Sequence, residues 1–276
     1  MKPKNTFRSN GLVGFYRFWH GRLHLKGAGF LLRHCARFFR ELEHYQLEVP
    51  GVGRLTVNLR DGSGMAWLNY SLGESGHEDG LISALKKLAP KNPVLWDIGA
   101  NAGFFVAALV KNLGEYSEIR MFEPNPKLMP GLSELVGCLP QTHAHNLAFS
   151  DVPGNLVLHI PPGDSTTASL TPKPGSTPVA VECTTGDIFL QATGAADPDV
   201  IVIDTEGNDA RVIMGLKELI KRKRPVIFFE NLFLNETVVR AALPDNYKHF
   251  TVDDRTGELI DKLDSSRGHN SVFIPQ

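Results

Sequence analysis

Trp96-Asp97-Ile98-Gly99-Ala100-Asn101-Ala102-Gly103 joins the short apolar run Val94-Leu95-Trp96-Asp97 to a helical stretch, Phe104 to Leu113, that Gly114 ends. An apolar run of strand length, a glycine-punctuated turn and a helix make one βα unit. The pattern then repeats. Ile119 to Glu123 reads as a second strand, Pro126 to Val136 as a helix with Gly137 after it, and Thr142 to Ala148 as a third strand. Val200 to Asp204, Asp209 to Ile220 and Val226 to Glu230 continue as strand, helix and strand. A helix near Glu236–Ala242 and strands around His249–Val252 and Ser271–Ile274 close the chain. Strands that alternate with helices imply a parallel sheet with helices on its faces, an α/β fold. Residues 152–183 interrupt it as a β-rich insertion, in which Leu156 to Ile160 and Val179 to Cys183 bracket a Pro/Gly/Ser/Thr-rich loop at 161–178.

Upstream of the sheet, Leu55, Val57 and Leu59 alternate with polar residues between two turns, Pro50-Gly51-Val52-Gly53 and Asp61-Gly62-Ser63-Gly64, and predict a hairpin. A short helix is expected from Glu78 to Leu88, stopped by Pro90-Lys91-Asn92-Pro93. Residues 1–47 read as a basic helical extension ahead of a domain spanning 48–276. From Ala28 to Tyr45, Leu31, Cys35, Phe38, Leu42 and Tyr45 fall on one helical face, with Leu32 and Phe39 widening it.

The composition bounds the function. The chain has 276 residues, 42% hydrophobic and 21% charged, with a formal net charge of −1, as expected of a globular protein. Three widely spaced cysteines without a CxxC argue against a disulfide framework and a cysteine-built zinc site, and point to a reducing, cytoplasmic compartment. The longest apolar runs are too short to span a membrane, and the N-terminus does not read as a secretory signal. The small net charge hides an asymmetry. Residues 1–44 carry nine Lys/Arg and two Asp/Glu, a balance of +7, and the remainder carries −8. The basic extension is therefore a candidate for peripheral membrane contact through residues 1–45, or for packing on the domain or a second subunit. Lys221-Arg222-Lys223-Arg224 follows a helix C-terminus, where cations complement the dipole, so no nucleic-acid partner is expected.

Glycines at 99 and 103 let the backbone turn sharply and approach a ligand, and the helix that follows offers free N–H groups. Gly-x-Asn-x-Gly is not the GxGxxG of a dinucleotide fold, and the Asp97 carboxylate ahead of it would repel a pyrophosphate. A ligand with an amino group and a sulfonium would be attracted, which favours S-adenosyl-L-methionine (SAM) over NAD. Twenty residues beyond Gly103, Glu123 ends the second strand, where a carboxylate can accept both ribose hydroxyls of either ligand. Asp204 ends an apolar strand at the edge where open α/β sheets bind ligands, and Glu206 and Glu230 lie near the same edge. Asp204 or Glu206 would serve as proton acceptor or orient an acceptor hydroxyl, with Glu206, Asn208 or Asp209 as helix caps the competing reading. Glu230 and Asn231 would border the same crevice. No sequence-local cluster demands a metal. His143 and His145 share a strand face and read as a surface pair.

Several blocks, in order, resemble the FkbM family of SAM-dependent methyltransferases. They are Asp97 to Phe105, Phe122-Glu123-Pro124-Asn125-Pro126, Asn146 to Asp151 leading to Gly154, Thr185-Gly186-Asp187, Ile203 to Asp209, and Arg224 to Glu230; the likeness covers about residues 75–275. It implies a class I methyltransferase fold, a Rossmann-like, doubly wound sheet of seven strands with the last antiparallel. It places Asp97, Gly99, Asn101 and Gly103 around the methionine part of SAM, Glu123 at the ribose, and Asn146, Ala148, Ser150 and Asp151 near the adenine. O-methylation of a small molecule, natural product or glycan is the reaction it implies. Family members usually have Glu where this chain has Asp209, which puts a side-chain contact there in doubt. An acid is also common near Glu78, next to Trp67, Tyr70 and His77, and the 161–178 loop would suit a lid. The alternatives left by the residues alone are an NAD- or nucleotide-using oxidoreductase and a non-enzymatic docking module. The acceptor and the oligomeric state, including a homo-oligomer, stay open.

Overall fold

The structure is a computed structural model that describes residues 6–22, 28–36, 38–73, 78–230, 236–261 and 266–276. Helices α1 (Thr6–Tyr16) and α2 (Ala28–Ala36) precede a hairpin of β1 (Tyr45–Val49) and β2 (Gly53–Val57), then α3 (Gly62–Ser71) and α4 (Asp79–Leu88). The alternating region runs β3 (Val94–Ile98), α5 (Phe104–Leu113), β4 (Glu118–Phe122), α6 (Met129–Cys138) and β5 (Thr142–His145). A side sheet follows, of β6 (Ala148–Phe149), β7 (Gly154–Ile160) and β8 (Thr177–Thr184). After α7 (Gly186–Thr193) come β9 (Val200–Ile203), α8 (Asp209–Met214), α9 (Lys217–Lys223), β10 (Val226–Glu230), α10 (Glu236–Ala242), β11 (Tyr247–Val252), β12 (Leu259–Ile260) and β13 (Asn270–Pro275).

The main sheet has the order β12-β11-β13-β10-β9-β3-β4-β5. Strands β10, β9, β3, β4 and β5 are mutually parallel, and β13 is inserted antiparallel between β10 and β11. That is the seven-stranded, doubly wound arrangement implied by the family resemblance, with the two-residue β12 as an added eighth strand at the edge. The chain leaves β3 outward to β4 and β5, then returns to β9 on the other side. Strand order therefore reverses at β3, where an open α/β sheet parts its crossovers and leaves a crevice.

Alternate residues of the strands feed two cores. Leu95 and Val200 face one, with Leu85 of α4, Val106 of α5 and Leu135 of α6. Trp96, Ile98, Ile201 and Ile203 face the other, with Phe189 of α7, Ile213 of α8, Ile220 of α9 and Val239 of α10. Both faces of the central strands are covered, so these strands read as continuous apolar runs.

Four local expectations change. The helix expected through Tyr45 ends at Ala36, because Tyr45 opens the hairpin opposite Val57. The buried face of this segment is Leu32, Ala36 and Leu42, while Leu31 and Phe38 point to solvent, 43% and 78% exposed. Asp61-Gly62-Ser63-Gly64 begins α3, since the Asp61 carboxylate accepts the Ser63 N–H at 3.0 Å as an N-cap. The third strand stops at His145, and Ala148–Phe149 pairs instead with β8 of the side sheet. The helix expected over 209–220 breaks at Gly215, whose backbone lies so close to the Ser150 carbonyl that a Cβ would sit 2.0 Å from it. Helix α7 was absent from the sequence reading; Thr185 caps its start and a left-handed Gly194 its end.

The observed face predicts that Leu42→Ala costs about 2–5 kcal/mol of unfolding free energy. Phe38→Ala should stay within about 0.5 kcal/mol of wild type. Urea unfolding of both variants checks which face carries the packing.

Candidate functional site

The turn after β3 is held by three backbone hydrogen bonds. The N–H groups of Gly99 and Ala100 both donate to the Phe122 carbonyl, at 2.9 and 3.1 Å, and the Asp204 N–H donates to the Ile98 carbonyl at 2.9 Å. Gly99 has φ 94°, and a Cβ there would lie 1.7 Å from the Asp204 carbonyl oxygen, so only glycine permits this approach of the loop to the end of β9. Gly103, at φ 84°, opens α5 where a Cβ would meet Leu135 at 2.5 Å. Asn101 between them is also left-handed, at φ 52°.

Glu123 organises this turn. Its two carboxylate oxygens accept the backbone N–H groups of Asn101 and Asn125, at 2.8 and 2.7 Å. The Asn101 and Asn125 amides in turn donate to the carbonyls of Thr166 and Ser165, at 3.0 and 2.8 Å. Asp61 fastens the same loop from below by accepting the Ser165 N–H at 3.1 Å and its hydroxyl at 2.5 Å. The segment at 161–178 is thus tied to both the glycine turn and α3 through Ser165 and Thr166.

Two crevices meet at Gly99, Asn101 and Asp204. The first, about 690 Å³ to its open mouth, lies between the sheet edge and the insertion; Glu123, Leu147, Ala148, Phe149, Ser165, Thr166 and Asn208 line it. The second, about 970 Å³, is walled by Glu78, Asp97, Phe104, Asp204, Glu230, His269 and Asn270. Among the described residues its wall carries no Lys or Arg.

This concentration of carboxyl groups is the dominant electrostatic feature. Asp97 is buried, one of its oxygens has no hydrogen-bond partner, and its pKa lies well above the usual value; burial is the chief cause, then Glu78, Asp204 and Glu123. Burial lifts Glu123 to about 7, against the opposing pull of its two N–H donors. Glu78 is likewise raised to about 7, by loss of hydration and by Asp79. The Asp204 side chain opens into the crevice, yet it sits deep in it; poor hydration there, then Glu230, Glu206, Asp209 and Glu78, push it to about 8. Glu230 is raised by poor hydration and by Glu206 and Asp209, while its hydrogen bond with Asp204 lowers it, so the two carboxyl groups share a proton.

The structure thus brings Asp97, Gly99, Asn101, Glu123, Asp204 and Glu230 to one junction, with Glu206 on the rim of the first crevice at φ 52°. Gly103 supports the turn from behind, and Ala148 lines the first crevice. Asn146, Ser150 and Asp151 do not line it. The Asn146 amide is spent on the Glu123 and Pro124 carbonyls at 2.9 Å each, and the Ser150 hydroxyl on Asp151 at 3.0 Å. Leu147 and Phe149 supply the apolar wall in their place. Asp209 accepts the Thr205 N–H and hydroxyl at 2.9 and 2.6 Å, so its side chain closes the turn after β9. His145 stacks on Phe122 with ring centroids 5.0 Å apart, and His143 lies 3.8 Å from Glu118. Arg222 and Lys223 pair with Asp197 and Asp199 at 2.8 and 2.7 Å. His77 and Asn231 lie outside the described residues. Sequence reasoning missed Ser165 and Thr166 as individuals, although it had flagged their loop, and it missed His269 and Asn270 altogether.

A family model described as the methyltransferase FkbM domain matches residues 97–268, starting at Asp97 itself. The chain belongs to the FkbM methyltransferase family. The oxidoreductase alternative falls with that match. The hexuronic acid methyltransferase AglP of Haloferax volcanii is 24% identical over 151 residues, covering 54% of this chain and 61% of its own length. The 2-O-methyltransferase NoeI of Sinorhizobium fredii is 26% identical over 160 residues, covering 52% and 64%. The chain thus spans less than two thirds of the length of either relative. A solved FkbM methyltransferase from Methylobacillus flagellatus superposes with a TM-score of 0.47 at 13% identity, over 88% of this chain and 60% of that one. The fold assignment rests on the strand order and the family match rather than on that superposition.

Raised carboxyl pKa values are a statement about stability. The native groups hold protons that the unfolded chain has released, so their contribution is full below about pH 4, near the unfolded values, and is lost as pH rises through about 7 to 8. Asp204→Asn removes one such group. Its melting temperature should gain on that of the wild type as pH rises from about 5 to 8, and parallel curves across that range would contradict the assignment.

Proposed function

We propose that the protein transfers a methyl group from SAM to a hydroxyl oxygen of a sugar or a similar small molecule. The observation that carries this reading is the junction of an apolar crevice with an acidic one across the Gly99 turn. Asp97 presents a buried oxygen without a partner, and so does the Asn101 amide. Two orphaned acceptors at the wall of an acidic crevice suit a ligand ammonium, since buried acceptors otherwise stay paired. A carboxylate has room for about four hydrogen bonds, so Glu123 can hold ribose hydroxyls while keeping its two N–H donors. Leu147, Ala148 and Phe149 would flank the adenine. Bound SAM supplies an electrophilic methyl carried on a sulfonium.

The chain's own work is then alignment, exclusion of water and removal of a proton. Holding acceptor oxygen and methyl about 3 Å apart accounts for much of the rate, because approach has already been paid for in binding. Asp204 and Glu230, sharing a proton at the crevice wall, are suited to orient the acceptor.

One relative's name gives a sugar acid and the other's gives an oxygen as the site of methylation; the first supports a sugar-like acceptor and the second transfer to oxygen. The acidic wall favours a neutral acceptor over a carboxylate-bearing one, because like charges at close range cost more where water is excluded. We also place the protein in the cytoplasm, in keeping with its three free thiols.

Calorimetric titration should show S-adenosylhomocysteine binding and no NAD binding, with Asp97→Asn weakening the former at least about tenfold, or about 1.4 kcal/mol. With tritiated SAM, p-nitrophenyl hexosides should accept label at higher kcat/KM than the matching hexuronides. Binding of NAD alone would overturn the cofactor reading, and preference for the hexuronide would overturn the neutral acceptor.

A second reading concerns residues 1–45. Among the described residues, Phe15, Phe18, Leu31 and Phe38 are exposed large apolar side chains on a segment whose sequence carries a balance of +7. No described helix is long and apolar enough to cross a membrane. We propose that this segment touches an anionic membrane surface peripherally. Phe18→Ser/Phe38→Ser should lose co-sedimentation with phosphatidylserine vesicles, and unchanged sedimentation would reject the contact.

A further inference from the structure

The antiparallel insertion of β13 brings together residues that are far apart in sequence. Asn270 at its start pairs with both Glu230 of β10 and Val252 of β11. His269, one residue earlier, therefore stands at the carboxyl edge of the parallel strands, and it walls the acidic crevice beside Glu230 and Asp204. Its position is over-determined. The Asp254 carboxylate accepts the His269 backbone N–H at 2.9 Å with one oxygen and meets ring Nδ1 at 2.5 Å with the other. Asp254 is itself fixed at both backbone groups. Its N–H donates to the Arg267 carbonyl at 3.2 Å, and its carbonyl accepts the Gly80 N–H at 2.9 Å, at the start of α4 beside Glu78. Gly268 lets the chain enter this turn, for a Cβ there would lie 1.9 Å from the Val252 carbonyl.

A carboxylate against Nδ1 fixes the tautomer: Nδ1 carries the hydrogen, and Nε2 is the basic nitrogen. We infer that His269 is the general base that takes the proton of the acceptor hydroxyl, with Asp254 as its positioning residue. This inference rests on the hydroxyl-transfer reading above. As the acceptor oxygen bonds to the methyl carbon, its proton passes to His269 Nε2. The carbon–sulfur bond breaks with its electron pair staying on sulfur, which leaves as a neutral thioether. The imidazolium is held by the Asp254 carboxylate and later gives its proton to water. Such a dyad supplies a base beside a carboxyl pair, Asp204 and Glu230, that already shares a proton. The exposure of His269 at the rim fits an acceptor that covers it on binding.

Around the imidazole stand Asp254 of the β11–β12 turn, in contact with Nδ1, and the acids of the same crevice wall, Glu230 at the end of β10, Asp204 after β9 and Glu78 before α4. Arg267, close by, is paired with Asp253 at 2.7 Å.

The test uses the full chain, tritiated SAM and a p-nitrophenyl hexoside accepted by the wild type. His269→Gln should lower kcat at pH 7 by about 10²-fold, the usual worth of a general base. Its affinity for S-adenosylhomocysteine should stay within twofold of wild type, which also shows that the variant folds. The acidic limb of the pH–rate profile should vanish in His269→Gln, and added imidazole should restore turnover to His269→Gly. An independent readout is the imidazole titration of His269, followed by NMR in the S-adenosylhomocysteine complex. Asp254→Asn should displace that titration and the acidic limb by the same amount, a coincidence that a merely structural clamp would not produce. Retention of kcat within threefold and of the acidic limb by His269→Gln would overturn the inference and leave hydroxyl transfer intact. Failure of the wild type to label any hydroxyl while binding S-adenosylhomocysteine would overturn the reading beneath it.

Discussion

Carboxyl groups crowd the carboxyl edge of the central strands, and their crowding governs the chemistry of the crevice. Asp97 is the buried penultimate residue of β3, Glu123 follows β4, Asp204 follows β9 and Glu230 ends β10. The parallel sheet delivers all four to one edge, and the switch in strand order at β3 keeps that edge open. Poor hydration raises all four pKa values, and repulsion from neighbouring acids adds to it at Asp97, Asp204 and Glu230, so the cluster relieves itself by retaining protons. A cationic ligand relieves the same strain in another way, by neutralising the charge. The site therefore carries an electrostatic deficit of the kind that the proposed sulfonium and ammonium would fill.

The surroundings follow from that requirement. Gly99 lets the loop touch the Asp204 carbonyl, so that β3 and β9 close under the crevice without a side chain between them. Glu123 spends its two oxygens on the N–H groups of Asn101 and Asn125, fixing the turn before any ligand arrives. The insertion contributes little to the main sheet, but it sends Ser165 and Thr166 across the first crevice to meet the two asparagine amides. Asp61, capping α3, holds that same loop, so the segment ahead of the sheet also shapes the crevice.

Much of this was legible in the chain. Local periodicity located every strand of the main sheet except the two-residue β12, because buried parallel strands are short continuous apolar runs with glycine or proline at their ends. The strand-end acids could be read because the fold puts any such residue at the ligand edge. What escaped depends on tertiary context. Phe38 and Leu42 sit on the same helical stripe, but the helix ends at Ala36, and only Leu42 is buried. Gly215 breaks a helix because the Ser150 carbonyl needs its space, a contact between residues 65 positions apart. His269 and Asp254 look like ordinary loop residues until β13 is known to run antiparallel between β10 and β11. Asn146 and Ser150 were assigned to the crevice by their block, and their polar groups turn out to satisfy neighbouring backbone and Asp151.

A carboxyl cluster that holds protons should give them up when a cationic cofactor binds. Calorimetric binding of SAM at pH 7, repeated in buffers of different ionisation enthalpy, measures this directly. The account predicts an apparent enthalpy that varies with the buffer and corresponds to a net release of about one proton. An enthalpy independent of the buffer, or a net uptake of protons, would contradict it.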